Sequence, residues 1–198
     1  MLKQELGLIH IDTGSYLRAA AEEDTEFGRE LNDIINVRRE LVPDRIVYAV
    51  LSKALSGVSS EKGVLIDGAP RRLSQVDEVL EALSEQGREL TKAIFLDLSE
   101  PESVERISKR FLCSVCHEPY ILGMNLNNPA SEDCTKCGGK ITQRKDDTPE
   151  GVLKRFQIFE EDTLPVINHF EKSGLLLRID GNRGAEAISG DILKAVRP

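Results

Sequence analysis

Val64-Leu65-Ile66-Asp67-Gly68-Ala69-Pro70-Arg71 decides the fold of this 198-residue chain. Three apolar residues in a row suit a strand buried on both faces, and the aspartate, glycine and proline that follow end it in a tight turn. Arg71 then stands beyond the carboxyl end of a strand, where open α/β folds bind their ligands. Working outward, similar apolar runs bounded by glycine or polar residues lie at 8–11, 92–98 and 174–180 beside 63–67 itself. Between them, helical periodicity predicts helices over 16–23, 26–35, 43–55, 73–86, 101–110, 149–173 and 185–196. Ser99 with Glu102, and Thr148 before Pro149, give start signals for two of them. Short apolar strands alternating with amphipathic helices indicate an α/β fold, a parallel sheet with helices on both faces.

Composition narrows the function. The chain is 40% hydrophobic, 30% charged and 5% aromatic with no tryptophan, enough for one core of ordinary size. No apolar run approaches the roughly 20 residues that span a bilayer, and the opening lacks a signal peptide, so a cytoplasmic protein with no membrane partner is expected. The net charge of −8, from 34 acidic and 26 basic residues, repels nucleic acid. Any anion site must then be a local cluster of arginines.

All four cysteines fall in two pairs, Cys113-x-x-Cys116 and Cys134-x-x-Cys137. Two disulfides would need a secreted protein, and unrelated buried thiols would not cluster in pairs. The spacing suits four thiolates around one tetrahedral zinc ion, and Gly138 and Gly139 supply the tight turn such a knuckle needs. His117 is expected to be a bystander. This insert has no long periodic stretch of its own, and metal binding would give it a fixed shape.

Six arginines occupy distinctive places: Arg18 after Thr13-Gly14, Arg71 in its turn, Arg106 and Arg110 one helical turn apart, Arg144 after the cysteines, and Arg155 in the next helix. A guanidinium binds phosphate oxygens through two parallel hydrogen bonds and stays charged at any relevant pH. Asp67 either holds magnesium at the ligand edge or caps the turn. Asp146 and Asp147 could cap the helix near Pro149 or lock the arginines in position, and the two roles are compatible.

The stretches Ile9-His10-Ile11-Asp12-Thr13-Gly14-Ser15-Tyr16-Leu17-Arg18, Glu40-Leu41-Val42-Pro43-Asp44, Leu65 to Arg71 with Gln75, and Gln143-Arg144-Lys145-Asp146-Asp147 resemble the long, zinc-bearing bacterial adenylate kinases. The similarity runs in order from about Gly7 to the C-terminus. The resemblance implies a nucleoside monophosphate kinase of the P-loop NTPase class. Its core would comprise 1–12, 61–110 and 141–198, its AMP-binding helical insert 13–60 and its zinc-binding lid 111–140. The implied reaction is reversible transfer of the ATP γ-phosphoryl group to AMP, giving two ADP, with Mg2+ on ATP and structural Zn2+. Thr13, Gly14, Arg18, the backbone of Glu40, Leu41 and Val42, and Gly68, Arg71 and Gln75 would hold AMP. Arg106, Arg110, Tyr120 and Asn182 would serve ATP, Arg144 and Arg155 would bridge the two phosphate chains, and Asp67 would hold magnesium through water. Catalysis would rest on Asp67, Arg71, Arg106, Arg110, Arg144 and Arg155. A monomer whose partners are ATP, AMP and ADP is implied.

The sequence departs from the family in one large respect. Adenylate kinases open with a strand and a Gly-x-x-Gly-x-Gly-Lys-Gly-Thr loop, and this chain begins after both. In the family that strand lies between the ones expected here at 63–67 and 92–98. Its lack leaves two facing edges about 10 Å apart, two strand spacings. Poor stability and impaired transfer follow as expectations, with a noncatalytic AMP- and zinc-binding protein as the alternative. A zinc ribbon contacting nucleic acid is disfavoured by the charge and by Tyr120 being the lone aromatic between the cysteine pairs. Smaller departures are Asp12 and Ser15, exchanged around Thr13-Gly14, and Ala69, Arg72 and Phe159 where phenylalanine, threonine and tyrosine are usual.

Overall fold

The computed structural model describes residues 2–144 and 147–197. The reading of Asp146 as a cap or a lock therefore lies outside the described residues.

The chain forms two compact units, Met1–Asp97 with Phe156–Pro198, and Leu98–Arg155. In the first unit, α1 (Leu2–Glu5) leads to β1 (Ile9–Asp12), α2 (Thr13–Ala21), α3 (Glu26–Asn32), a wide helical segment Asp33–Arg38 with π geometry, and α4 (Asp44–Ser56). Strand β2 (Val64–Asp67), α5 (Ser74–Ser84) and β3 (Ala93–Asp97) follow. After the second unit come a π segment Phe159–Thr163, α8 (Leu164–Lys172), β7 (Leu176–Asp180) and α9 (Ala185–Val196). The expected strands are present to within two residues at each end. The expected helix over 149–173 is interrupted by the π segment, and the one over 26–35 runs on as π geometry to Arg38, because periodicity does not register a single widened turn.

Strands β1 and β2 pair in parallel, Ile9 opposite Val64 and Asp12 opposite Asp67. Strands β3 and β7 pair in parallel, Ala93 opposite Leu176. Among the described residues these are two separate two-stranded sheets, with nothing joining β2 to β3. The helices pack on them through distinct apolar clusters: Ile11 of β1 with Leu51 and Leu55 of α4 and Val79 of α5, and Ile179 of β7 with Ile188 and Ile192 of α9. Leu51 and Leu55 are fully buried, each contributing about 1.5–3 kcal/mol of transfer free energy. A further cluster of Leu17, Leu31, Ile34 and Ile46 holds the helical insert.

The second unit contains α6 (Glu100–Ser108) and a three-stranded antiparallel sheet, β4 (Arg110–Cys113), β5 (Pro119–Ile121) and β6 (Ile141–Thr142), in the order β5-β4-β6. Helix α7 spans Pro149–Ile158, and Thr148 caps it by accepting from the Gly151 N–H at 3.1 Å. No helix is long and apolar enough to cross a membrane among the described residues.

Candidate active site and metal centre

Because Asp12 pairs with Asp67, β1 and β2 end side by side and their turns abut. A Cβ on Gly14 would fall 2.9 Å from Arg18 Nη1, and one on Gly68 would lie 3.6 Å from Arg71 Nη2 and 3.7 Å from the Gly14 nitrogen. Two guanidinium groups thus border a cradle of backbone that glycine keeps open. Gly68 has φ +85°, which a side chain would strain. Thr13 is 1% exposed, and its hydroxyl is buried with no hydrogen-bond partner among the described residues. Leaving a buried hydroxyl unpaired costs roughly 1–3 kcal/mol.

Asp12 and Ser15 work as a pair. The Ser15 N–H donates to Asp12 Oδ1 at 3.0 Å, and its hydroxyl donates to Oδ2. Arg18 Nη2 donates to Ser15 Oγ at 3.0 Å and stands 3.7 Å from Asp12 Oδ2. Burial opposes ionisation of Asp12, but the Ser15 hydroxyl and N–H, with Arg18 behind them, outweigh it and hold the carboxyl below its usual range. The exchanged residues therefore still cap α2, and they aim Arg18.

The Arg71 turn is braced from three sides. Gln75 Oε1 accepts from the N–H groups of Arg71 at 2.7 Å and Arg72 at 3.3 Å, while its Nε2 donates to Asp44 Oδ1 at 2.8 Å. Gln75 is 2% exposed, so its amide is committed to the turn here. Asp44 also accepts from Ser74 Oγ at 2.6 Å and from Arg72 at 3.4 Å. Burial works against that carboxylate, and Ser74, Gln75 and Arg72 together hold it below its usual range. From the π segment, Thr163 Oγ1 donates to the Arg71 carbonyl at 3.2 Å and Asp162 stands 3.5 Å from Arg72. Periodicity offers no signal for Asp44, Asp162 or Thr163, whose roles arise across large sequence separations.

Other expected residues of this unit lie apart from the cradle's contacts. Asp67 is exposed, with Oδ2 3.5 Å from His10 Nε2. Asn182 donates to Asp180 Oδ1 through its backbone and its side chain, a local turn. Glu40 accepts from Arg38, Leu41 is half-buried and Val42 packs in the insert's core.

In the second unit, Arg110 donates to both oxygens of Asp147, at 3.0 and 2.7 Å, and Arg155 Nη1 donates to Asp147 Oδ1 at 2.7 Å. The Asp147 side chain is 0% exposed, while each arginine keeps about a third of its surface open. One carboxylate thus fixes two forks. The Asp147 N–H donates to the Arg144 carbonyl at 3.0 Å, tying Arg144 to the same turn. Arg106 donates to Glu102 one helical turn away at 2.6 Å.

The four cysteine sulfurs lie within 4.8 Å of one another. Cys113 and Cys137 are 3.4 Å apart, and Cys116 and Cys134 3.6 Å, far beyond the roughly 2.05 Å of a disulfide. Thiolates on a tetrahedral zinc, about 2.3 Å from the metal, sit roughly 3.8 Å apart, so the set fits. A Cβ on Gly139 would fall 2.7 Å from Cys113 Sγ, which is why a glycine follows the last pair. His117 is outside the group and turns the chain with φ +56°. Tyr120 is buried, its hydroxyl donating to Cys134 Sγ at 3.3 Å. The Tyr120 hydroxyl draws the Cys134 thiol down to about 6. The Gly139 N–H favours ionisation of Cys137, but the Cys116 and Cys113 sulfurs outweigh it and push that thiol up to about 12.

A family model described as adenylate kinase matches residues 1–175. The adenylate kinase of Thermosipho melanesiensis is 36% identical over 196 residues, covering 99% of this chain and 91% of the relative. Those of Dehalococcoides mccartyi and Thermotoga petrophila are each 35% identical, covering 100% and 98% of this chain and 90% and 88% of the relatives. Family model and relatives agree over nearly the whole length, and the chain belongs to the adenylate kinase family.

Proposed function

We propose that the chain is a nucleoside monophosphate kinase, transferring the γ-phosphoryl group of Mg·ATP reversibly to AMP as a monomer. What carries this reading is the cradle at the ends of β1 and β2, where Arg18 and Arg71 flank two glycine turns beside the unpaired Thr13 hydroxyl. A phosphate monoester there would accept from Thr13 and from both forks. A phosphate oxygen of AMP forms the new bond to the γ-phosphorus, and the β–γ bridging oxygen leaves with its electron pair on ADP. That reaction asks for alignment and neutralised charge rather than covalent help. Arg110 and Arg155, held by Asp147, would spread positive charge over the donor phosphates without reorganising. Arg106, Arg144, Tyr120 and Asn182 are assigned to the ATP side, and Glu40, Leu41, Val42 and Gln75 to AMP, on the resemblance alone. Asp67, exposed at a strand end, would hold magnesium through water, the ion supplying charge neutralisation on ATP. Cys113, Cys116, Cys134 and Cys137 would hold zinc, which supplies structure only.

Within the 198 residues no Gly-x-x-x-x-Gly-Lys run occurs, so phosphate binding by these residues would fall to the arginines, and transfer by them alone would be slow. A coupled assay with ATP, AMP and magnesium tests this. The expected rate is more than about tenfold below an intact family member's, and a rate within tenfold overturns the impairment. The break between β2 and β3 favours a second reading, noncatalytic AMP and zinc binding. Calorimetric AMP binding with no ADP formed would establish it.

A further inference from the structure

Tyr120 lies at the centre of β5, opposite Phe111 of β4 and between the two cysteine pairs in sequence. It is 4% exposed and packs in one cluster with Cys113, Leu126, Cys134 and Ile141. A phenol hydroxyl buried in this way needs partners that replace water. Here they come from the second cysteine pair. The hydroxyl donates to Cys134 Sγ at 3.3 Å, accepts from the Thr135 N–H at 3.0 Å and stands 3.1 Å from Thr135 Oγ1. A phenol has a single proton to give and lone pairs that accept. With the proton on sulfur, the Thr135 hydroxyl is the donor in the third contact, and the capacity of the group is used up.

The sulfurs are served unequally. Cys113 Sγ accepts from the N–H groups of Val115 and Cys116 at 3.4 and 3.5 Å, both within its own turn. The corresponding N–H groups of Lys136 and Cys137 address Cys134, which receives the Tyr120 hydroxyl in addition, from a strand 14 residues away. Four thiolates around one divalent ion carry more negative charge than the metal neutralises, and donors aimed at sulfur disperse the excess.

We propose that the Tyr120 hydroxyl is a positioning group of the metal centre, holding the Cys134 thiolate in place and tying β5 to the second Cys-x-x-Cys turn, so that its task is metal retention. Family resemblance places Tyr120 on the ATP side, but its hydroxyl has no proton or lone pair left for a nucleotide. A nucleotide could meet this residue only through its ring or main chain. The inference requires the sulfur cluster to bind metal and does not depend on the phosphotransferase reading.

The full chain and its Tyr120→Phe and Thr135→Val variants are loaded with cobalt(II) for absorption spectra, and with zinc(II) for competition against a colorimetric chelator. Phenylalanine keeps the ring in its cluster and deletes the donor to sulfur. The thiolate-to-cobalt charge-transfer band should then move to longer wavelength, and zinc affinity should fall about tenfold to a hundredfold. Thr135→Val spares the O–H···S contact, so its band should stay with that of the unsubstituted chain. An unshifted band in Tyr120→Phe, with zinc affinity within about threefold of the unsubstituted chain's, overturns the proposal. So does a band moved as far by Thr135→Val, or an unsubstituted chain that takes up neither metal. Should Tyr120→Phe take up no cobalt, a tyrosine fluorinated beside its hydroxyl, a stronger donor of nearly the same size, is placed at position 120. Its band should move to shorter wavelength, and an unmoved band overturns the proposal.

Discussion

Asp12 and Asp147 do their work through the arginines they hold. The Asp12 carboxyl is more acidic folded than free, so its stabilisation is present above the ordinary carboxylate value near 3.9 and is lost as pH falls through the lower folded value. Asp12→Asn keeps an acceptor for the α2 cap. Its stability at pH 7 should fall by under about 1 kcal/mol, while the acid limb of an unfolding titration becomes shallower. An unchanged acid limb would show that Asp12 contributes no pH dependence. Asp147→Ala leaves Arg110 and Arg155 together without their shared carboxylate. A loss of about 1–3 kcal/mol in urea denaturation is expected, below the value for a fully buried pair because both arginines are partly exposed. Gly14→Ala displaces the flexible end of Arg18 rather than backbone. AMP affinity should drop about tenfold or more with stability nearly unchanged, as calorimetry and a thermal melt would read. The exchange of Asp12 and Ser15 is visible in the sequence, but its reciprocal hydrogen bonding to Arg18 is a matter of distances.

At the scale of elements, the cysteine knuckle and the π segment show opposite relations to sequence. The paired Cys-x-x-Cys spacing predicts the sulfur cluster, because each pair's geometry is set within four residues. The strands β4, β5 and β6 around it are too short to show alternation, and pairs such as Phe111 with Tyr120 depend on the closed knuckle. Removing metal with a chelator should unfold this sheet, seen as lost protection of Cys113, Tyr120 and Ile141, with one zinc released per chain. Since each cysteine must lose its thiol proton to bind a metal as thiolate, metal affinity should rise with pH over the neutral range, and a pH-independent affinity would exclude thiolate ligation. The π segment left no periodic trace, yet it brings Asp162 and Thr163 to the Arg71 turn.

At the largest scale, β2 and β3 each keep one edge unpaired among the described residues of the first unit. Each sheet ends at an edge that carries apolar side chains only half out of water. Exposed edges of this kind template association between chains. Light scattering should therefore rise at concentrations where a relative with a continuous sheet stays clear, and the chain should melt below that relative.

The residues alone determined the parallel strands, their helices, the glycine turns and the sulfur cluster, because each depends on neighbours close in the chain: an apolar run, a cap, a φ that only glycine adopts readily, a paired spacing. Tertiary structure decided that Gln75 would spend its amide on Asp44 and the Arg71 turn, that Asp147 would be enclosed by two arginines, and that Tyr120 would face sulfur. These outcomes depend on burial and on directed hydrogen bonds between groups far apart along the backbone, and only the folded chain sets those distances.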